Sequence, residues 1–545
     1  MTEAVVRTQK KTYYDVQLLA GLVLASGAIA EMQTGEGKTL VTALPAFLHG
    51  LTGNGVHVAT TNDYLAARDF EELKPAFTLL GLTVGLLEEQ GDPVNKLAGY
   101  GCDVTWGTGY EYGFDFLKDQ LALRRQPKIQ DGHAFAIIDE IDSVLIDEAT
   151  TPLVLSGSVS DDELSRPVYE FARKVSDTLV ADTHFLLDEP KRSTQLTADG
   201  WAHIHTDLPA NLTALFRRPW SQYVEHALRA RYVLKRDVDF VVVDDEVQIV
   251  DVNTGRIHSE RTWRAGLHQA VETRTGVPIT TEKESMARIS RQRYFQFYST
   301  MCGMTGTATG NEREMREFYS LPIVTIPLNR PSNRKYLGER FFDSNDSKFR
   351  AIADDVQLRS PTGQPILVGT RTIEQSYLLA DVLTQRGIKH SVLNGTQDED
   401  EAMIVSKAGL DGTVTIATNM AGRGTDIKLN QSATDAGGLH VIVAEHHDSP
   451  RVDRQLVGRS ARQGDPGSCQ FFSAAEDTLI RVNSEQLADA ILRNAGESGE
   501  CSKDFSSDIA RIQAEVEEQG YSQRRRMVDH DHWLEQVLET VASEA

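Results

Sequence analysis

The run MQTGEGKT, Met32 to Thr39, sets two glycines, a lysine and a hydroxyl in the order that a phosphate-binding loop requires. Gly35 and Gly37 let the backbone turn so that successive amides face one concavity, and a helix starting there aims its positive end at the same place. Lys38 is positioned to reach the β- and γ-phosphates of a nucleoside triphosphate, and the Thr39 hydroxyl to take a place on Mg2+. Thr34 and Glu36 line the same loop. A glycine-rich loop that merely turns is the plain alternative, and the Gly-Lys-Thr ending decides against it. One residue departs from the pattern: Met32 stands where a Gly or Ala usually opens the loop.

A second group follows about a hundred residues later. AFAIIDEID, Ala134 to Asp142, is an apolar strand ending in carboxylates. Asp139 would hold Mg2+ through water, and Glu140 would orient or deprotonate the attacking water. A third group is GRSARQGDPG, Gly458 to Gly467. Its spacing predicts Arg459 and Arg462 on one face of a helix, able to reach a γ-phosphate across a cleft as arginine fingers. Beside it, TNMAGRGTDI, Thr418 to Ile427, offers Arg423 and Asp426 to the same cleft. With one half-site on each of two domains, the bond being cut is also what holds them closed, so hydrolysis would let them move.

The elements that must position these groups are legible as short apolar runs with helical segments between them. Val56 to Thr60, Ala134 to Ile138, Ile366 to Val368, Val414 to Ala417 and Leu439 to Val443 read as buried parallel strands of α/β sheets. They fall before residue 157 and after 360. Between them DFVVVDDEVQIVDVNTG reads as an antiparallel hairpin within an inserted α+β domain. The boundaries expected are 1–157 with 281–328 for a first α/β domain, 158–280 for the insert, 329–507 for a second, and 508–545 for a helical end. NRPSNRK, 329 to 335, reads as the linker between the two α/β units. From Asp508 a stripe of Ile509, Ile512, Val516, Leu534, Val537, Leu538 and Val541 predicts a helix.

The chain has 545 residues, too many for one core, and a formal charge of −23 from 56 basic and 79 acidic side chains. That field repels polyanions, so no nucleic-acid partner is expected without a local basic groove. The cluster Arg524 to Arg526 reads as a solvated helix face. Cysteines 102, 302, 469 and 501 form no CxxC spacing, which fits a reducing cytoplasm and predicts no zinc site. Leu18 to Ala30 imitates a secretory signal, but cleavage after Ala30 would remove the mount of the phosphate loop. The chain is expected to be cytoplasmic, with contact at a membrane surface left open.

These motifs resemble the tandem RecA-like ATPases of helicase superfamily 2, and within them the SecA preprotein translocase family. The resemblance is carried by DVQLLAGLVL, IAEMQTGEGKT, TTNDYLAARD, TWGTGYEYGFDFLKD, DEIDSVLIDEA, RDVDFVVVDDEVQIVDVNTGR, GLHQAVE, GMTGTA at 303 to 308 and GQPILVGTRTIE. It implies two RecA-like domains with an inserted preprotein cross-linking domain and a truncated scaffold helix. It also implies a motor that hydrolyses ATP with Mg2+ and moves unfolded preprotein polypeptide. In the family, Gln17, residues 35 to 39 and Asp426 line the nucleotide, Asp139 and Glu140 serve hydrolysis, and Arg459 and Arg462 sense the γ-phosphate. A SecYEG-type membrane channel and a homodimer are further partners it suggests. Met1 to Tyr14 are short for the family's N-terminal extension, and the chain stops at Ala545, so no wing domain, two-helix finger or zinc tail is expected. Thr150, Thr396, Asp398 and Val457 replace the family's usual Arg, Lys, His and Arg. A nucleic-acid helicase and a nucleotide-switched regulatory partner without translocase activity stay open as rival readings.

Overall fold

A computed structural model describes residues 1–88, 91–122, 128–130, 132–158, 166–188, 192–206, 208–236, 238–250, 257–258, 262–393, 404–405, 407–418 and 426–544. Two parallel sheets carry the chain. The first runs in the order Ile323–Thr325, Ile29–Glu31, Thr300–Thr305, Phe135–Asp139, Val56–Thr60, Val104–Thr108, Val84–Leu86. Every neighbouring pair in it is parallel. Its central strands are buried throughout, because helices cover both faces and leave no face for polar residues. The second sheet, also parallel, runs Asn333–Phe342, Pro466–Ala474, Leu439–Val443, Ile366–Thr370, Val414–Thr418, Ser391–Leu393. We call the two sheets with their helices the first and second lobes.

The first sheet is interrupted in sequence. After Phe135–Asp139 the chain leaves it and returns only at Thr300–Thr305, which lies between Ile29–Glu31 and Phe135–Asp139. The excursion starts and ends on an antiparallel ribbon, Leu153–Ser158 with Lys283–Ile289. Beyond that ribbon the helices Arg166–Thr178, Trp220–Tyr232 and Leu267–Thr275 pack together. A core of its own includes Tyr169, Phe185, Trp220 and Tyr223. The hairpin read from DFVVVDDEVQIV is Phe240–Val243 with Glu246–Val250, antiparallel, and turns through Asp244 and Asp245 at φ 51° and 61°. Two left-handed residues give the turn whose twist matches the strands.

The segment expected as a linker is shorter than its composition suggested. Asn333 already pairs with Pro466, so the strand Asn333–Phe342 takes up the last part of NRPSNRK. Exposed polar side chains there mark a sheet edge.

The helix Ser506–Glu544 has 39 residues and so rises about 58 Å. Ile509 and Ile512 are buried in the second lobe with Phe341, Leu479 and Phe505. Tyr521 and Val528 are buried in the first, where Tyr521 stacks on Phe318 at 5.6 Å between ring centres. Arg524, expected on a solvated face, is instead buried and donates to both oxygens of Glu314, at 2.6 and 2.8 Å. The three arginines lie within one turn, but only Arg524 is buried against the lobe, while Arg525 pairs with Glu317 at its exposed margin. No helix among the described residues is long and apolar enough to cross a membrane.

Replacing Arg524 by Ala strands Glu314 in the interior, and should lower stability by about 3 kcal/mol in urea unfolding. Arg524→Met with Glu314→Leu should recover most of that loss. Equal stability of Arg524→Ala and wild type would mean that the pair does not hold the helix.

Candidate functional site

The loop after Ile29–Glu31 turns through Gly35 at φ 89° and Gly37 at φ 81° before the helix Lys38–Gly50 begins. A Cβ on Gly37 would lie 2.4 Å from Gln17 Nε2 and one on Gly35 3.0 Å from Arg462 Cδ, so neither position has space for a side chain. Gln17 is buried and donates to the Glu36 carbonyl at 2.8 Å, while its Oε1 accepts from the Tyr14 amide at 3.0 Å. The glutamine expected at the base therefore braces the loop as well. Glu36 Oε2 accepts from the Asn329 amide at 3.3 Å, and burial raises its pKa. Met32, the odd opening residue, is buried in the core beneath the sheet, which is why a large side chain fits there.

Lys38 forms an ion pair with Glu140, both side chains nearly buried. Burial opposes the lysine's charge, but Glu140 and Asp139 outweigh it and raise its pKa. The Asp139 pKa is raised as well, here against its charged form: burial, with Glu140 and Asp69 adding to it, outweighs Lys38 and lifts the carboxyl above its ordinary range. Glu140 sits at φ 50°, a conformation that costs a non-glycine residue of order 1 kcal/mol and persists where the surroundings enforce it. Its amide donates to Asp139 Oδ1 at 3.0 Å. Thr39 Oγ1 donates to Asp69 Oδ1 at 3.2 Å. The side chains near the loop that could ligate a cation, Thr39, Asp69, Asp139 and Glu140, thus offer oxygen. No three His, Cys, Asp or Glu among the described residues form a closed metal cage. That combination fits Mg2+, which is bound by one or two protein oxygens and completes its shell with water and phosphate.

The second lobe meets this loop directly. The helix Pro450–Val457 ends before the two arginines, so they do not share a helix face as their spacing predicted. They lie on a turn in which Ala461 and Gln463 have φ 55° and 52°. The Gly458 carbonyl accepts from Thr34 Oγ1 of the other lobe at 3.0 Å and from Arg462 Nε at 3.2 Å, and is no longer available to a helix. Gln463 Nε2 donates to the Gly35 carbonyl at 2.6 Å. Arg462 rests its stem on Gly35 and donates from Nη1 to Asp426 Oδ1 at 2.5 Å. Arg459 is half-buried on the same turn. Arg423 lies outside the described residues.

Two known domain descriptions match this chain, the SecA DEAD-like domain over residues 1–316 and the SecA P-loop domain over 331–435 and 430–499. The chain belongs to the SecA family. It is 43% identical over 99% of its length to the protein translocase subunit SecA of Solidesulfovibrio magneticus, and 42% identical over 97% to that of Sulfurimonas denitrificans. It spans 65% and 62% of those relatives. Among solved structures, Saccharomyces cerevisiae Dbp5 bound to RNA and ADP BeF3 aligns over 94% of this chain and 96% of its own, with TM-score 0.44 and 12% identity.

In this SecA-family chain the lobes also share a buried ionic contact that motif reading missed. Arg451, fully buried on the second lobe, donates to Asp142 Oδ2 at 2.8 Å and pairs with Asp147 on the first. Burial works against its charge, and the two carboxylates outweigh it. Gln455, one turn on, donates to the same Asp142 oxygen at 2.8 Å, and Thr307 of GMTGTA does so at 2.7 Å. The available signal was Arg451 and Gln455 at i, i+4 facing the two aspartates of IDSVLID. Nothing local named the partner.

The start of the helix Pro450–Val457 is anchored by Asp453, which accepts from His446 Nδ1 at 2.6 Å, His447 Nδ1 at 2.8 Å and Gln513 at 2.8 Å. Burial would lower the His446 pKa, but Asp453 and Glu339 prevail and raise it to about 10. A base held charged by folding contributes stability in full below its unfolded pKa near 6.5 and loses it as pH rises through 10. The unfolding free energy of wild type from urea titration should therefore fall between pH 7 and 10 more steeply than that of His446→Gln, by on the order of 2 kcal/mol. Parallel curves would show that His446 is not charged in the fold.

Proposed function

We propose that this chain is an ATP-hydrolysing motor that moves unfolded polypeptide in protein export across the cytoplasmic membrane. The observation that carries the reading is the seating of a second-lobe turn, with Arg462 and Gln463, on the Gly35 loop of the first. Membership of the SecA family supports the polypeptide as cargo. In this reading Lys38 binds the β- and γ-phosphates, and Gln17, Thr34, Gly35, Glu36, Gly37, Arg423 and Asp426 complete the nucleotide site. Thr39 and Asp139 hold Mg2+, which neutralises phosphate charge when bound. Glu140 takes the proton of the attacking water, and Arg459 with Arg462 stabilise the charge on the γ-phosphate.

The Lys38–Glu140 ion pair gives this scheme its order. Before nucleotide arrives, the lysine and glutamate neutralise each other inside the protein. A triphosphate draws Lys38 toward itself, which releases Glu140 from the lysine and leaves its carboxylate to act as a base. Hydrolysis is thereby tied to occupancy of the loop through the release of Glu140 from its ion pair. An extended client gripped by strand addition on an exposed sheet edge would be read by its backbone, which tolerates varied side chains. A SecYEG-type channel, a homodimer and a place at the inner membrane surface belong to the same proposal.

ATP hydrolysis by this chain should rise when an unfolded polypeptide is added. Lys38→Ala should abolish nucleotide binding. Glu140→Gln should bind ATP normally and turn over about 100- to 10,000-fold more slowly, and Arg462→Ala about 1,000-fold or more. Hydrolysis that no polypeptide stimulates would defeat the motor reading. Full activity in Arg462→Ala would remove the second lobe from the chemistry.

A further inference from the structure

Asp69, from TNDYLAARD, has no part in the scheme above, yet it touches the loop. It lies on the helix Asp63–Leu79, whose start is fixed by the Asn62 side chain accepting from the Leu65 amide. That helix packs against Lys38–Gly50. Asp69 is 4% exposed, and its Oδ1 accepts from Thr39 Oγ1 at 3.2 Å and from Arg68 Nε and Nη2 at 2.9 and 2.7 Å. Arg68 holds the carboxylate in place and offsets its charge. Asp139 lies close enough for Asp69 to raise its pKa.

A threonine hydroxyl in the first turn of a helix can direct its proton to a nearby backbone carbonyl or to another acceptor. The choice decides whether a ligand at the loop meets a hydrogen or a lone pair. An ionised carboxylate can only accept, so the contact with Asp69 assigns Thr39 as donor. With its proton committed away from the loop, the oxygen keeps its lone pairs for a cation. If Asp69 served only to pair with Arg68, two neighbours in sequence could do so without reaching a threonine on another helix.

We infer that Asp69 is the positioning residue for Thr39, fixing the direction of the hydroxyl proton so that its oxygen can ligate the divalent cation of a bound metal–triphosphate. The inference rests on the nucleotide reading of the loop. It makes Asp69 specific for the metal-bound nucleotide, because a triphosphate without its cation has no use for the Thr39 lone pair. The role is one of orientation, and outer partners of this kind change metal affinity by about 10- to 100-fold.

The test is binding of a fluorescent ATP analogue to the full chain, titrated at increasing free Mg2+ and in EDTA. Wild type, Asp69→Ala, Thr39→Ala, the double variant and Arg68→Met are compared. In EDTA all should bind alike. The Mg2+ needed for half-maximal tightening should rise about 10- to 100-fold in Asp69→Ala and to a similar degree in Thr39→Ala, with the double variant no worse than Thr39→Ala. Arg68→Met, which leaves the acceptor but removes the partner that holds it and offsets its charge, should raise the Mg2+ requirement by less than Asp69→Ala does. Equal weakening with and without Mg2+, or additive single effects, overturns the inference. If Asp69→Ala fails to fold, Asp69→Leu, of similar shape but without an acceptor, carries the test, and a wild-type Mg2+ requirement in it overturns the inference. A wild-type chain that binds no nucleotide under either condition overturns the nucleotide reading itself. That result is distinct from a wild type that responds to Mg2+ while Asp69→Ala matches it.

Discussion

Arg451 takes its guanidinium from the second lobe to a place on the first where water does not follow, and a buried charge of that kind survives only beside opposite charge. Asp142 and Asp147 supply it. Because both lie just beyond the strand that carries Asp139 and Glu140, the contact ties the second lobe to the segment that would do the chemistry. The helix bearing Arg451 continues into the turn of Gly458 to Gln463, and so fixes where Arg462 meets the Gly35 loop. Removing the guanidinium would leave buried Asp142 without that counter-charge and with neutral donors such as Gln455 and Thr307, whereas a rigid-body opening would expose the groups to water together. The interface is therefore easier to part as a whole than to damage in one place.

Of the described non-glycine residues at positive φ, three border the same cleft. Glu140, Ala461 and Gln463 all have positive φ without being glycine, and they come from both lobes. Two of them are held by side-chain contacts: Glu140 by Lys38 and the Asp139 carboxylate, and Gln463 by the Gly35 carbonyl of the other lobe. Strain of this kind stores a modest energy that relaxes when the holding contact is lost.

Much of the fold was legible because buried parallel strands are written as unbroken apolar runs. Val56–Thr60 and Leu439–Val443 have the bounds read from the sequence, and Val414–Thr418 and Ile366–Thr370 run only one or two residues longer. The Asp-Asp turn announced its hairpin by chemistry alone. What periodicity could not supply was the geometry of groups far apart in sequence. Arg459 and Arg462 have helical spacing, but Gly458 gives its carbonyl to Thr34, more than four hundred residues earlier, and the helix stops. Arg524 stands in a basic triplet that reads as surface until Glu314 is brought to it. Asp142 and Arg451 were ordinary charged residues in the chain and became partners only through the meeting of the lobes.

The late return of Thr300–Thr305 to the middle of the first sheet has a consequence for how this chain comes to be folded. Its neighbours on either side are made early in synthesis, but the sheet stays open until the excursion has been completed. Closing a flexible loop of that size costs only logarithmically in its length, so the obstacle is time and exposure more than free energy. If the excursion folds on its own core first, the ribbon Leu153–Ser158 with Lys283–Ile289 brings the two ends together and the strand enters a gap already shaped for it. The insert is then a clasp for the nascent sheet before it is anything else.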